Sequence, residues 1–251
     1  MKLNLAPFLF LVIFSFSCSY TVEKKEKTVS SKKTKKTTGV NKVYYEDGTL
    51  RAEVNVVEGK RNGLARDFYP SGKPHLEVEY KDGLKHGLTK MYYENGTLYE
   101  ESAFDMGVKH GVQKKYRQDG KLLAEAKYHL GEPCAGLKEF LKDGSLKKKY
   151  PTIEITPIDN ILKNDSYTLR LSMSDKSKNV TFYEGRLDGS CIGENVEQVH
   201  DTPSKGIGQI KYYVPPGMVI MEQLTIIAKV KTLQGNYYVT SRSYNVAVEN
   251  R

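Results

Sequence analysis

Residues 92–116 read YYENGTLYEESAFDMGVKHGVQKKY. Two tyrosines lead into Glu94-Asn95-Gly96, and two further glycines follow at Gly107 and Gly111. Displaced by 24 residues in either direction, the pattern returns: Gly48, Gly72, Gly96, Gly120 and Gly144 recur at that spacing. They close Glu46-Asp47-Gly48, Pro70-Ser71-Gly72, Glu94-Asn95-Gly96, Gln118-Asp119-Gly120 and Lys142-Asp143-Gly144. A three-residue loop ending in Gly suits a hairpin whose type I turn finishes in a left-handed residue. A second series, Gly59, Gly83, Gly107 and Gly131, keeps the same period. A third, Gly63, Gly87 and Gly111, lies four residues later, and Gly136 departs from it by one.

Between the glycines the residues alternate. Tyr44, Phe68, Tyr92, Tyr116 and Phe140 stand four before the first-series Gly, and Val56, Tyr80, Phe104 and Tyr128 stand eight after it. Glu53, Glu77, Glu101 and Glu125 stand five after it. Apolar residues at even offsets and polar ones at odd offsets have a period of two, which predicts strands with one buried face. Each repeat then forms one β-hairpin, and successive hairpins pair edge to edge into a long antiparallel sheet, since a single hairpin is unstable alone. On this reading the Glu series faces solvent beside Arg66, Lys90, Lys114 and Lys138 as a ladder of cross-strand charges. The five glycines are structural turn residues.

This pattern resembles the MORN-repeat variant family over about residues 41–150: an aromatic-rich strand, an x-Asp/Asn-Gly turn, an apolar-x-x-Glu strand, then Gly-x-x-x-Gly. The resemblance implies a hairpin-repeat fold. Related bacterial proteins are often called antitoxin components, and MORN arrays serve as membrane-proximal scaffolds. Repeats of this kind present surfaces rather than chemistry.

Ahead of the array, residues 1–17 read as an export signal. Lys2 supplies the positive charge, and Leu5 to Phe16 is apolar but too short to span a bilayer. The segment ends in Ser15-Phe16-Ser17-Cys18, which resembles a bacterial lipoprotein processing site, with Ser15 where the strict pattern prefers Leu. Cys18 is the expected lipidation site, and the acyl chains would anchor the protein at a membrane. Residues 18–40 read as a disordered Lys-rich tether. Glu23 to Thr38 holds seven Lys and two Glu and almost no apolar side chain.

At Tyr150-Pro151 the period stops, and residues 151–251 show short alternating runs. Tyr167-Leu169-Leu171-Met173, Ile210-Tyr212-Val214, Leu224-Ile226-Ala228-Val230 and Tyr244-Val246-Val248 are the clearest. Thr152 to Ile155 and Val180 to Tyr183 add two more, and Leu233-Gln234-Gly235-Asn236 reads as a hairpin turn. Six or seven strands in about 100 residues predict an immunoglobulin-like β-sandwich. The fold class is therefore all-β, a hairpin-repeat sheet followed by a sandwich.

Composition narrows the function. The 251 residues include 39 Lys+Arg against 30 Asp+Glu, a formal +9. Most of that excess sits before Gly39, which favours a spacer near anionic lipid headgroups over nucleic-acid binding. With three Cys in all, neither a disulfide-dense scaffold nor a four-Cys zinc ribbon can be built. Cys134 and Cys191 can bridge the last repeat to the C-terminal stretch or remain separate thiols. His86 and His110 occupy one repeat position but lack the carboxylate or Cys companions of a metal site, so no metal or cofactor is expected. No nucleophile elbow, phosphate loop or paired-carboxylate motif is present, and no catalytic residue is assigned.

Three before the first-series Gly lie Tyr45, Tyr69 and Tyr93, opposite in phase to the aromatic series, with Tyr99 in the same phase and Arg117 and Leu141 ending the row. A row of exposed Tyr flanked by charges is what protein-binding surfaces use. Tyr45, Tyr69, Tyr93 and Tyr99 are thus the candidate partner-binding residues, unless the sheet or the sandwich covers them. The expected protein is a non-enzymatic envelope lipoprotein, facing the outer membrane or periplasm, whose repeat sheet binds a protein partner. An antitoxin or immunity role is one alternative. Glycan or peptidoglycan binding is another, opposed by the lack of any Trp.

Overall fold

The computed structural model describes residues 37–251. The export segment, Cys18 and all but the last residues of the proposed tether lie outside the described residues. Ten strands come first: β1 Gly39–Tyr44, β2 Leu50–Val57, β3 Lys60–Phe68, β4 Pro74–Lys81, β5 Leu84–Tyr92, β6 Leu98–Asp105, β7 Val108–Tyr116, β8 Leu122–His129, β9 Glu132–Pro133 and β10 Lys138–Glu139. They form one antiparallel sheet in chain order from β1 to β8, with β9 and β10 both pairing β8.

Two kinds of turn build it. At the first-series turns the Gly48 N–H donates to the Tyr45 carbonyl at 3.0 Å and the Tyr45 N–H to the Thr49 carbonyl at 2.8 Å, a geometry repeated at 69–73, 93–97, 117–121 and 141–145. Gly96 has φ +93°, the left-handed region that favours glycine. The residue before that Gly shapes the loop. The Asp47 carboxylate accepts the Thr49 N–H at 2.8 Å, and Asn95, Asp119 and Asp143 do the same two residues on. At the second-series turns Val57 pairs with Lys60, leaving a two-residue loop, Glu58-Gly59, with both φ values positive. That is the type I′ hairpin, whose twist matches the strands it joins.

These second turns also tie repeats together. The Gly83 N–H donates to the Arg61 carbonyl, Gly107 to Lys85, and Gly131 to Lys109. Gly59 donates to Thr37 in the same way, and β1 takes in Gly39 and Val40. The array therefore begins at residue 37, and residues 37–40 belong to the sheet rather than to the tether.

The expected phase relation fails at the hairpins. Asp67 pairs with Leu76 but Phe68 with Pro74, so His75 is an extra residue in β4, and the same bulge recurs at the first four of the five first-series turns. One extra residue reverses which offsets share a face. Even offsets before the Gly thus lie with odd offsets after it. Phe68 and Tyr92 stand on the face of the Glu series, not with Val54 and Val78. The Tyr92 hydroxyl donating to Glu77 Oε2 at 2.9 Å fixes this. The third glycine series has its own reason: Gly63, Gly87 and Gly111, paired with Tyr80, Phe104 and Tyr128, have φ of +82°, +93° and +94°, the left-handed region that favours glycine.

The remaining strands are β11 Ile153–Asn160, β12 Ser166–Met173, β13 Val180–Gly185, β14 Val196–Gln198, β15 Gly208–Tyr213, β16 Val219–Lys231 and β17 Tyr237–Glu249, with one helical turn at Ile161–Asn164. They form a three-stranded sheet, β11-β12-β15, and a four-stranded sheet, β14-β13-β16-β17. Leu169, Leu171 and Met173 of β12 pack with Phe182 of β13, Ile226 and Ala228 of β16 and Val246 of β17 in one buried cluster. Two sheets sharing one core make a β-sandwich, and the alternating runs of the sequence are its inward faces. The turn joining β16 to β17 repeats the array's chemistry, with the Gly235 N–H on the Thr232 carbonyl at 2.9 Å.

Array and sandwich meet at β8–β10. Cys134 and Cys191 form a disulfide, closing a sequence separation of 57 residues. Ala126, Tyr128 and Leu137 pack against Tyr150 and Tyr238, whose rings stack with centroids 4.6 Å apart. Ala135 lies on the outer face of the four-stranded sheet against Ile192, Ile227 and Val239. Glu139, with no exposed side-chain surface, accepts from Thr232 Oγ1 (2.6 Å), Asn236 Nδ2 (2.9 Å) and Lys147 Nζ (2.9 Å). The fifth repeat keeps its turn at Gly144 but shrinks to β10 and a single bridge, Phe140 to Leu146.

Candidate functional site

The sheet is a single layer for most of its length. In β1–β8 full burial is confined to Val56, Val78, Ser102, Gln113, Ala124, Ala126 and Tyr128. A sheet that buries so little offers its two faces instead. One face carries a central row running Val54–Ala65–Val78–Thr89–Ser102–Gln113–Ala126 across seven strands. Its apolar end lies toward β1 and its middle is polar.

The opposite face carries an unbroken charge ladder. Lys42 pairs with Glu53, Glu53 with Arg66, Arg66 with Glu77, Glu77 with Lys90, Lys90 with Glu101, Glu101 with Lys114, Lys114 with Glu125, and Glu125 with Lys138. Sign alternates at every step, so each charge between the terminal Lys42 and Lys138 has an opposite neighbour on both sides. Arg66 bridges Glu53 at 3.1 Å and Glu77 at 3.3 Å, and those hydrogen bonds raise its pKa further. Partial burial, then the Glu77 contact, pushes the Tyr92 phenol up to about 12. The aromatic row Phe68, Tyr92, Tyr116 flanks the ladder on one side, and Leu64, Leu88 and Val112 flank it on the other. Leu88 is 38% and Val112 44% exposed.

Tyr45, Tyr69 and Tyr93 are half-buried rather than exposed. Their hydroxyls are committed: Tyr45 donates to the Phe68 carbonyl at 2.7 Å, Tyr69 to Tyr92 at 2.7 Å and Tyr93 to Tyr116 at 3.0 Å. Arg117 continues the row instead of ending it, its Nη2 donating to the Phe140 carbonyl at 2.6 Å. Each side chain reaches one repeat forward and fastens the next hairpin. Each also meets the bulge residue after its own turn: Arg51 over the Tyr45 ring, His75 against Tyr69, and half-buried Tyr99 edge-on to Tyr93 at 5.1 Å. The sequence shows the row, but the one-residue bulge that turns it inward carries no separate signal.

A second series escaped the sequence reading. Arg61 lies 5.3 Å from the Tyr80 ring centroid, Lys85 5.1 Å from Phe104, and Lys109 4.7 Å from Tyr128. These cations recur every 24 residues, and that spacing could have revealed them. Lys109 is the most enclosed, and desolvation lowers its pKa despite Glu100 nearby. His86 meets Asp105 at 3.1 Å, and the His110 and His129 rings are 5.0 Å apart. Among the described residues no group of three or more His, Cys, Asp or Glu is placed to hold a metal ion.

Residues 37–58, 61–82, 85–105 and 109–129 match the MORN repeat variant family. Those four copies are similar to MORN-type repeats. That match covers four of the five glycine-spaced copies and stops where the fifth shrinks to a stub. Repeats of this family are generally non-catalytic scaffolds. No curated protein matches the chain. Two solved structures are similar, both of the extracellular domain of a B. thetaiotaomicron protein, described in one as a one component system and in the other as a hybrid two component system. Each is 11% identical. They cover 86% and 85% of this chain but 31% and 30% of their own, with TM-scores of 0.24 and 0.22. The chain thus spans less than a third of their length, and scores this low establish no common fold.

Proposed function

We propose that the protein is a non-enzymatic, exported lipoprotein whose repeat sheet binds a protein partner through its charged face. The observation that carries this is that no second layer covers the sheet among the described residues. From β3 to β7 that face carries three parallel stripes: Leu64, Leu88 and Val112, the last two exposed; Arg66, Glu77, Lys90, Glu101 and Lys114; and the half-buried rings of Phe68, Tyr92 and Tyr116. Aromatic and Arg side chains beside exposed aliphatics are the composition of protein interfaces. The Tyr45, Tyr69 and Tyr93 row supports that face from within and does not contact the partner.

Export and anchoring rest on Ser17-Cys18 after the apolar segment. Acyl chains on Cys18 would hold the protein at the envelope membrane. The C-terminal domain is read as immunoglobulin-like, because a three-stranded sheet facing a four-stranded one whose central strands are β13 and β16 fits that arrangement.

The test places a photo-cross-linking amino acid at Leu88 or Val112 in cells, with Leu162 on the sandwich, 99% exposed, as control. One discrete partner should appear from positions 88 and 112 and not from 162. Equal capture from all three, or capture from 162 alone, overturns the assignment. Intact mass of the wild-type and Cys18→Ala proteins tests the anchor, and a wild-type chain without acyl mass defeats it.

A further inference from the structure

β1 is the open edge of the array. β3, β5 and β7 each have a neighbour on both sides, whereas among the described residues β1 pairs only with β2. All six of its residues are exposed, with Val40 at 55%, Val43 at 51% and Tyr44 at 55%. The opposite end of the sheet is capped by β9, β10 and the disulfide-linked sandwich. Repeat arrays need both ends closed, and an uncovered strand edge is a template for another strand.

The geometry points to β1 as a strand-addition site for an extended segment of a partner protein bearing an acidic residue flanked by β-branched or aromatic residues. The array itself shows what fits. On the side where β1 is open, β3 is paired by β2, β5 by β4 and β7 by β6, and each of those strands sets a Glu opposite the central cation: Glu53 against Arg66, Glu77 against Lys90, Glu101 against Lys114. Lys42 is the equivalent cation of β1. It is answered by Glu53 on its inner side and faces the open edge on the other. The charge ladder thus stops at a positive step, and an acid continues it. A groove of about 270 Å³ beside β1 is lined by Val43 and, on β2–β4, by Val54, Leu76 and Val78 together with the charged Arg61 and Asp67.

Charge selects among occupants. A second copy could offer its own β1, but antiparallel pairing centred on Lys42 sets two lysines against each other, which is unfavourable. The chain's own residues 23–38 hold seven Lys and two Glu and carry the wrong sign. An acidic partner strand fits on both counts, main-chain pairing giving affinity and the acid giving register. The proposal rests on the scaffold reading and adds to it the site and the kind of segment bound.

The probe is a fluorescent peptide with the sequence of residues 74–81, PHLEVEYK, added to the full chain and followed by anisotropy. It should bind saturably. A version with Lys in place of the acid at position 77 should bind about 5- to 20-fold more weakly, the swing from attraction to repulsion for one cross-strand pair. Lys42→Glu should reverse that preference. A version N-methylated at alternate backbone nitrogens should not bind, because methylation removes the donors that strand addition needs. Absence of binding up to about 1 mM, equal binding of the methylated peptide, or a preference unmoved by Lys42→Glu each overturns the proposal. So does a chain that sediments as a dimer and excludes the peptide, which would assign the edge to a second copy. If Leu88 still cross-links a partner while the peptide fails, the edge proposal falls and the scaffold reading stands.

Discussion

Removing the Glu139 carboxylate should unlock the junction between array and sandwich. Its side chain is wholly buried, and three donors from two parts of the chain converge on it: Thr232 and Asn236 on Oε1, Lys147 on Oε2. Burial works to raise its pKa, but these hydrogen bonds and the Lys147 charge outweigh it and hold the carboxyl below the usual Glu value. In Glu139→Ala, Lys147 can turn to water because a third of its side chain is already exposed, whereas Asn236, 1% exposed, cannot. Orphaned buried donors cost about 1–3 kcal/mol each, and breaking a buried ion pair from one side costs about 3–5 kcal/mol. The expected loss is about 3–5 kcal/mol for Ala and about 1–2 kcal/mol for Gln, which keeps the Oε1 acceptor. Urea unfolding at pH 7 measures both. A carboxyl depressed in the folded state contributes stability above the unfolded value of about 4.3 and loses it as pH falls through the folded pKa. Wild type should therefore lose stability below about pH 4.5 more steeply than Glu139→Gln. If Glu139→Ala stays within about 1 kcal/mol of wild type, the carboxylate is not holding the junction and the reasoning fails.

Three further outcomes follow from the same contacts. Tyr69→Phe removes one hydroxyl-to-carbonyl bond and should cost about 0.5–1.5 kcal/mol by thermal melting, while leaving partner cross-linking from Leu88 unchanged; lost cross-linking in a stable variant would return Tyr69 to the binding surface. Gly96→Val forces a β-branched residue to φ +93°, at a cost of about 1–3 kcal/mol. Hydrogen exchange should speed up in β4–β7, and a change confined to residues 93–97 would argue against cooperative stacking. Cys134→Ser opens a loop of 57 residues, worth about 4 kcal/mol on the chain-entropy account, and should loosen β8–β10 before β2–β6; uniform loosening would contradict a local clamp.

The periodicity was legible because it is written in glycine. Gly48 and its equivalents stand where φ must be positive, so the 24-residue spacing reports hairpins directly. The sandwich strands were legible from alternation, apart from the three-residue β14, too short to alternate. What misled was parity. Counting offsets through a turn assumes that each hairpin preserves phase, and the extra residue at His75 and its equivalents breaks that assumption. Phe68 therefore moves to the charged face, and the hydroxyls of the Tyr69 row are tied to the next hairpin. Sequence spacing fixes residues along a strand, but their face depends on a bulge that no single residue type announces. The Glu139 network was hidden for a different reason. Its partners lie 93 and 97 residues away, and nothing near Glu139 distinguishes it from a surface Glu.

The two ends of the array follow opposite rules, and this gives the sheet a direction. At β8–β10 a disulfide, stacked tyrosines and a satisfied buried carboxylate close the edge. At β1 nothing among the described residues does so. The open strand is also the one nearest Cys18 in the chain, Gly39 lying 21 residues away. Even fully extended, such a segment spans no more than about 75 Å. If Cys18 carries the anchor, the edge offered to an acidic strand is confined to that distance from the bilayer. The closed end lies seven strand spacings further along, or about 33 Å. A partner strand added at β1 would extend the ladder by one step, while the sandwich keeps the other end from doing the same. One open edge and one closed edge permit a single addition and prevent head-to-tail polymerisation through the sheet. A scaffold with edges of this kind acts as a terminus for its partner rather than as a link in a fibre.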